Sequence, residues 1–168
     1  PATPPGRSAV AVIRISGPAA VSAAAQVFRS TGNKDVSNLP NRRLNHGWIQ
    51  FDGNLIDEAL LVIMRAPHSF TAEDVVELQC HGSPQVLQSV LARLCRDGVR
   101  LADPGEFTRR AFLNGRLDLT RVEAIADLIH ADSRLSMLLA AQQLRGKLYE
   151  AIHEIQEEII QVASLIEA

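Results

Sequence analysis

The sequence predicts an α/β (α+β) fold: a sheet-and-helix domain followed by the first helices of an α-helical bundle. Three observations predict it. β-branched and alternating runs at 9–16, 44–65 and 74–81 read as strands. Helix starts of the Pro and capping kind fall between and after them. Beyond about Ser133 the chain holds no Pro and one Gly, and its apolar residues keep a helical spacing.

Taken in order, Ala9–Ser16 reads as a buried, continuous strand. Ser16-Gly17-Pro18 ends it and opens a helix to about Phe28, with Pro early in the first turn. Residues 30–43 are polar and read as loop. Residues 44–51 and 55–65 are strand-like, and Asp52-Gly53-Asn54 between them signals a hairpin. Ala66-Pro67-His68-Ser69 is a turn. Residues 74–81 alternate, with Val76, Leu78 and Cys80 on one face and Val75, Glu77, Gln79 and His81 on the other. Ser83-Pro84 starts a helix to about Asp97, apolar at 86, 87, 90, 91 and 94. A short strand is expected at 98–102, then a helix start at Asp103-Pro104-Gly105-Glu106 with Glu at the third helical position. Thr120-Arg121-Val122-Glu123 has capping-box spacing and opens a helix to about Ala131. In the last stretch, apolar positions 144, 148, 152, 155, 159, 162 and 166 form a seam for other helices. The chain reaches Ala168 with no C-cap signal, so it reads as a piece of a larger protein whose partner helices lie elsewhere.

Composition narrows the class. Of 168 residues, 46% are hydrophobic and 21% charged, as in ordinary globular proteins. No apolar run approaches membrane-spanning length, so no membrane partner is expected. Cys80 and Cys95 match no metal spacing and suit a reducing cytoplasm. Residues 1–119 hold 13 Lys/Arg against 11 Asp/Glu, and residues 120–168 hold 4 against 8. This shift suggests two parts, 1–118 and 119–168, facing different partners.

Four groupings offer chemistry. Glu77, Gln79 and His81 share a strand face; they line a polar pocket or form the solvated side of an antiparallel sheet. Arg14 interrupts an apolar strand. Buried, it must pair with a carboxylate such as Glu77 or meet an anionic ligand; at a strand end its head reaches water. Arg109, Arg110 and Arg116 cluster around the Asn114-Gly115 turn, as an anion site or as a solvated face. The helix start after His81-Gly82-Ser83 offers backbone N–H groups. Against nucleotide hydrolysis, Gly146-Lys147 lacks the first Gly and the Ser/Thr of a phosphate loop, for Ala141 and Leu148 stand there. Neither a metal set of Cys and His nor a serine elbow is present.

Several of these segments carry a resemblance. They are Ala2-Thr3-Pro4-Pro5-Gly6-Arg7, Val12-Ile13-Arg14-Ile15-Ser16-Gly17, Ser69 through Leu78, His81-Gly82, Pro104 through Leu119, and Glu123 through Ile129. In order and spacing they resemble the N-terminal part of the MnmE (TrmE) family of tRNA-modifying GTPases, over essentially the whole chain. The resemblance implies a mixed-sheet, tetrahydrofolate-binding-like domain that forms a homodimer and binds 5-formyl-tetrahydrofolate or a related folate. It implies a helical domain interrupted by a GTPase domain, where GTP is hydrolysed with potassium and magnesium. It also implies a flavoprotein partner, MnmG, and a tRNA substrate modified at the wobble uridine. The family's folate contacts fall on Arg14, Glu77 and Arg116. Glu77 is then expected to anchor the pterin, and the arginines to hold its polar and anionic ends. Relatives begin slightly earlier, and several have Gly in place of Cys80. With no GTPase domain and no C-terminal cysteine motif, the chain alone is not expected to hydrolyse GTP.

Overall fold

Five strands and six α-helices follow one another along residues 1–167, the part of the chain that the computed structural model describes. They fall into two compact units, one covering Pro1–Phe107 and the other running from Thr108 onward.

In the first unit, strands β1 (Ser8–Ser16), β2 (Phe28–Ser30), β3 (Asn45–Phe51), β4 (Asn54–Met64) and β5 (Val75–Gly82) form one sheet in the order β1-β5-β4-β3-β2. All four ladders are antiparallel, with one isolated parallel bridge between Asn41 and Ile63. The β3–β4 hairpin turns on Asp52 (φ 51°) and Gly53 (φ 77°), both left-handed, as the two-residue turn that matches strand twist requires. One face of the sheet packs beneath α1 (Ala20–Ala25) and α2 (Pro84–Leu94). Ile13, Ile15, Leu61, Ile63, Val76, Leu78 and Cys80 meet Ala24, Leu87, Val90 and Leu94 there. Burying such side chains contributes about 1.5–3 kcal/mol each.

Three expectations for this unit are corrected. β1 is an edge strand with one buried face rather than a wholly buried one, because only Ala11, Ile13 and Ile15 point at the helices. α1 stops at Ala25, and Phe28 begins β2: its ring is fully buried and its backbone pairs with Ile49. Tertiary pairing there overrides a helix-favouring alanine run. The short strand at 98–102 does not form. Val99 packs on the core, but Leu101 is exposed and Arg100 is drawn to Glu106 at 2.5 Å.

The second unit continues α3 (Glu106–Leu113) and adds α4 (Leu119–Ile129), α5 (Arg134–Leu144) and α6 (Lys147–Glu167). The capping residue of α4 is Asp118, two positions before the expected Thr120. Its carboxylate accepts from the Arg121 N–H at 3.0 Å and the Thr120 hydroxyl at 2.5 Å, so a charged acceptor earlier in the chain takes the orphan donor and Thr120 becomes its donor. Ser133 caps α5 with a reciprocal bond to Ser136. Gly146, at φ 95°, divides the last stretch into α5 and α6. The seam of α6 is laid out as expected, with Ile152, Ile155, Ile159, Val162 and Ile166 all exposed. The expected absence of a stop at Ala168 lies outside the described residues.

Candidate functional site

The face of the sheet turned away from α1 and α2 carries the polar groups. Alternation along β1 puts Arg14 and Ser16 there, and alternation along β5 adds Glu77 and Gln79. Register sets Arg14 directly opposite Glu77, with Val62 of β4 on the other side of Glu77.

Arg14 Nε donates to Glu77 Oε1 at 2.7 Å, and Nη2 lies 2.6 Å from the same oxygen. Of the two pairings open to a buried Arg14, the protein itself supplies the carboxylate. The side chains are 30% and 19% exposed, so the pair is partly withdrawn from water while still reachable. Both nitrogens converge on Oε1. Oε2 of Glu77 and Nη1 of Arg14 take part in no hydrogen bond among the described residues. The carboxylate thus keeps an acceptor, and the guanidinium a donor, for further polar partners.

Two aromatic rings hold the guanidinium. Its carbon lies 5.5 Å from the centre of Phe70 and 5.8 Å from that of Phe107, within cation–π range. Phe107 comes from the first turn of α3, whose start is fixed when Glu106 accepts from the Asp103 N–H at 2.8 Å. Phe70 comes from the loop between β4 and β5. That loop is tied to the end of β1. Ser16 Oγ donates to Glu73 Oε2 at 2.8 Å; since the hydroxyl has one proton, Thr71 must donate to Ser16 across their 2.6 Å contact. The Gly17 N–H reaches the Asp74 carbonyl at 3.0 Å.

The two phenylalanines and the Ser16–Thr71–Glu73 relay were missed as functional residues in the sequence. The only signal was their place inside the segments Ser69 through Leu78 and Pro104 through Leu119. Of the other members of the polar strand face, Gln79 stays on the face of Glu77, and His81 separates from it. His81 turns to Asp57: Nδ1 lies 2.7 Å from one carboxylate oxygen, and its backbone N–H donates to the other at 2.9 Å. This hydrogen bond, with the charge of Asp57, raises the His81 pKa above its ordinary value. Cys80 points into the core beside Leu78, on the face opposite Glu77. Burial first, and then the charge of Asp57, push its thiol up to about 11, so it stays protonated and inert at neutral pH.

Arg116 belongs to the second unit. The structure brings Arg14 and Glu77 together; Arg116 is positioned by its own turn. There Gly115 (φ 69°) ends α3 in a Schellman arrangement, its N–H reaching the Phe112 carbonyl while that of Arg116 reaches Ala111 at 2.9 Å. At the start of α2 the Ser83 side chain makes no capping bond, and nothing further singles out that helix end. Among the described residues no group of three or more His, Cys, Asp or Glu could hold a metal ion, and no helix is long and apolar enough to cross a membrane.

An antiparallel two-layer α/β unit with a charged, aromatic-flanked pair on its open face, followed by a helical unit, defines the class of protein. Residues 1–116 match the family described as the N-terminus of the GTP-binding protein TrmE, and residues 119–168 match the MnmE helical domain. The chain belongs to the TrmE/MnmE family. It is 48% identical over 166 residues to a tRNA modification GTPase MnmE of Flavobacterium johnsoniae, with 99% of this chain covered. It is 45% identical over 167 residues to that of Carboxydothermus hydrogenoformans, and 46% over 167 to that of Enterococcus faecalis, with 98% covered in each. In all three it spans 36% of the relative, about a third of its length.

Proposed function

We propose that this chain is the folate-binding, dimer-forming part of a tRNA modification GTPase, with residues 1–118 as the folate domain and 119–168 as the first segment of the helical domain. The observation that carries the reading is the Arg14–Glu77 pair: part-buried, set against Phe70 and Phe107, with one carboxylate oxygen uncommitted. A pterin ring presents an N–H beside an amino group, the donor pair that a carboxylate accepts. In 5-formyl-tetrahydrofolate, Glu77 holds that edge, and the family's two arginine contacts, Arg14 and Arg116, take the polar and anionic ends. The residues present fit this ligand in charge and in donor pattern. When bound, the folate supplies a one-carbon unit; this chain binds and orients it.

The wider reading rests on the family resemblance; the names of the relatives carry tRNA modification and GTP hydrolysis alone. The parent protein works in the cytoplasm with MnmG on the wobble uridine of tRNA. It hydrolyses GTP with potassium and magnesium in a domain that this sequence does not contain. Accordingly the chain alone has no GTP turnover. The exposed apolar face of α6 supports the helical assignment, since it suits further helices of one bundle.

Titration calorimetry with 5-formyl-tetrahydrofolate tests the site. Saturable binding to the chain is expected, weakened at least about tenfold in Glu77→Ala, the loss of about 1.4 kcal/mol or more. Unchanged affinity in that variant overturns the assignment.

A further inference from the structure

We propose that the Arg14–Glu77 pair makes this site selective for the neutral 4-oxo edge of a pterin, and that it rejects the 4-amino edge of 2,4-diaminopteridines. This rests on the folate reading above and adds a specificity to it.

Charge separates the two rings first. A carboxylate standing alone in a part-buried pocket attracts a diaminopteridine, because the ring takes up a proton and forms an ion pair. Glu77 does not stand alone. The guanidinium of Arg14 touches its Oε1 through two nitrogens at 2.6 and 2.7 Å, so the pair as a whole is neutral. A protonated ring brought to Oε2 meets a fixed like charge next door, and like charges in a part-buried site repel.

The donor pattern points the same way. Oε2 of Glu77 can only accept, and the nitrogens of Arg14 beside it can only donate. A 4-oxopterin edge offers the amino group and the ring N–H as donors, then the 4-oxygen as acceptor. Its two donors suit the carboxylate, and its oxygen sets no donor against the cation. A neutral 4-amino ring sets a donor where the oxygen was and a lone pair where the ring N–H was, and the carboxylate repels that lone pair. An unmatched donor in a desolvated site is costly, which is how polar sites discriminate between ligands of equal size.

Arg14 is also held where it stands. Phe70 and Phe107 lie within 6 Å of the guanidinium carbon, and the loop bearing Phe70 is tied to β1 through Ser16, Thr71 and Glu73. Swinging the cation aside to admit the 4-amino ring gives up both ring contacts and the Glu77 bond together. The discrimination is therefore built into the pair and its ring contacts.

Folic acid and aminopterin differ only in the oxygen or amino group at this ring position, so they make a matched test. Each displaces 5-formyl-tetrahydrofolate from the intact chain in competition calorimetry. Folic acid is expected to compete at least about tenfold better. In Arg14→Met, checked for folding by circular dichroism, the ratio is expected to fall towards one or to invert, because Glu77 then stands alone. Aminopterin competing equally or better against the unaltered chain overturns the proposal and leaves the folate reading intact. So does failure of both analogues to compete, since an edge-reading site must accept the oxidised 4-oxo ring. Failure of 5-formyl-tetrahydrofolate itself to bind removes the folate reading, and the selectivity with it.

Discussion

The Arg14–Glu77 pair should be strongly coupled in folding as well as in binding. Two unit charges about 4 Å apart attract by roughly 4 kcal/mol at an effective dielectric of about 20. At 30% and 19% exposure, solvent and the cost of desolvation remove a large part of that. A coupling of about 1–2 kcal/mol remains. Arg14→Met leaves a part-buried carboxylate without its cation, and Glu77→Met leaves the cation against two rings without its anion. Each single change should cost about 1–2 kcal/mol. The double change removes both charges and should cost less than the sum of the singles by the coupling. Urea unfolding is the assay. The one tryptophan, Trp48 on β3, sits in the first unit and reports its unfolding by fluorescence. Additivity within about 0.3 kcal/mol would refute the view that the pair is preorganised by mutual attraction.

Three further outcomes are expected. A Cβ on Gly47 would sit 2.2 Å from the Arg29 carbonyl and 2.4 Å from the Phe28 ring, whereas one on Gly32 meets nothing. Gly47→Ala should cost about 1–3 kcal/mol and lower Tm by about 4–8 °C per kcal/mol; Gly32→Ala should leave the melt within a degree or two. The raised pKa of His81 means that its bond to Asp57 stabilises the fold fully below the ordinary imidazole value, and that this is lost as pH rises through the raised one. A proton NMR titration should find the His81 pKa falling in Asp57→Asn; no change removes the pairing as cause. Burial alone would raise the Asp118 pKa, but bonds from Thr120 and the Arg121 N–H, with the Arg121 charge, outweigh it and lower the value. The cap is then present above the ordinary carboxyl pKa and lost as pH falls through the lowered one. Asp118→Ala should reduce helix stability by about 1 kcal/mol, read from far-ultraviolet circular dichroism melts.

What was legible in the sequence follows the strength of local signals. The hairpin at Asp52-Gly53 and the alternation of Val76, Leu78 and Cys80 against Glu77 are short-range patterns, and both stand. So does the helix opened by Ser83-Pro84, which ends at Leu94 and passes through a 3-10 turn to Gly98 at φ 80°. What failed depended on distant partners. Phe28 becomes strand because Ile49 lies beside it, a pairing across 21 positions that no window reveals. Residues 98–102 have strand-like composition, but Glu106 captures Arg100. At the site, Arg14 and Glu77 were visible as one charge in an apolar strand and one on a polar face. Their meeting follows from β1 lying next to β5, a crossover that periodicity cannot encode. Phe70 and Phe107 were hidden because an aromatic residue in a loop or a first helical turn looks the same whether it covers core or cation.

The central claim is that the open sheet face around Glu77 receives a folate. A crystal structure of the chain with 5-formyl-tetrahydrofolate tests it most directly. The pterin amino group and ring N–H are expected within hydrogen-bond distance of Glu77, Oε2 included, with Arg14 still against Phe70 and Phe107. A ligand bound elsewhere, or a pterin turned away from Glu77, contradicts it.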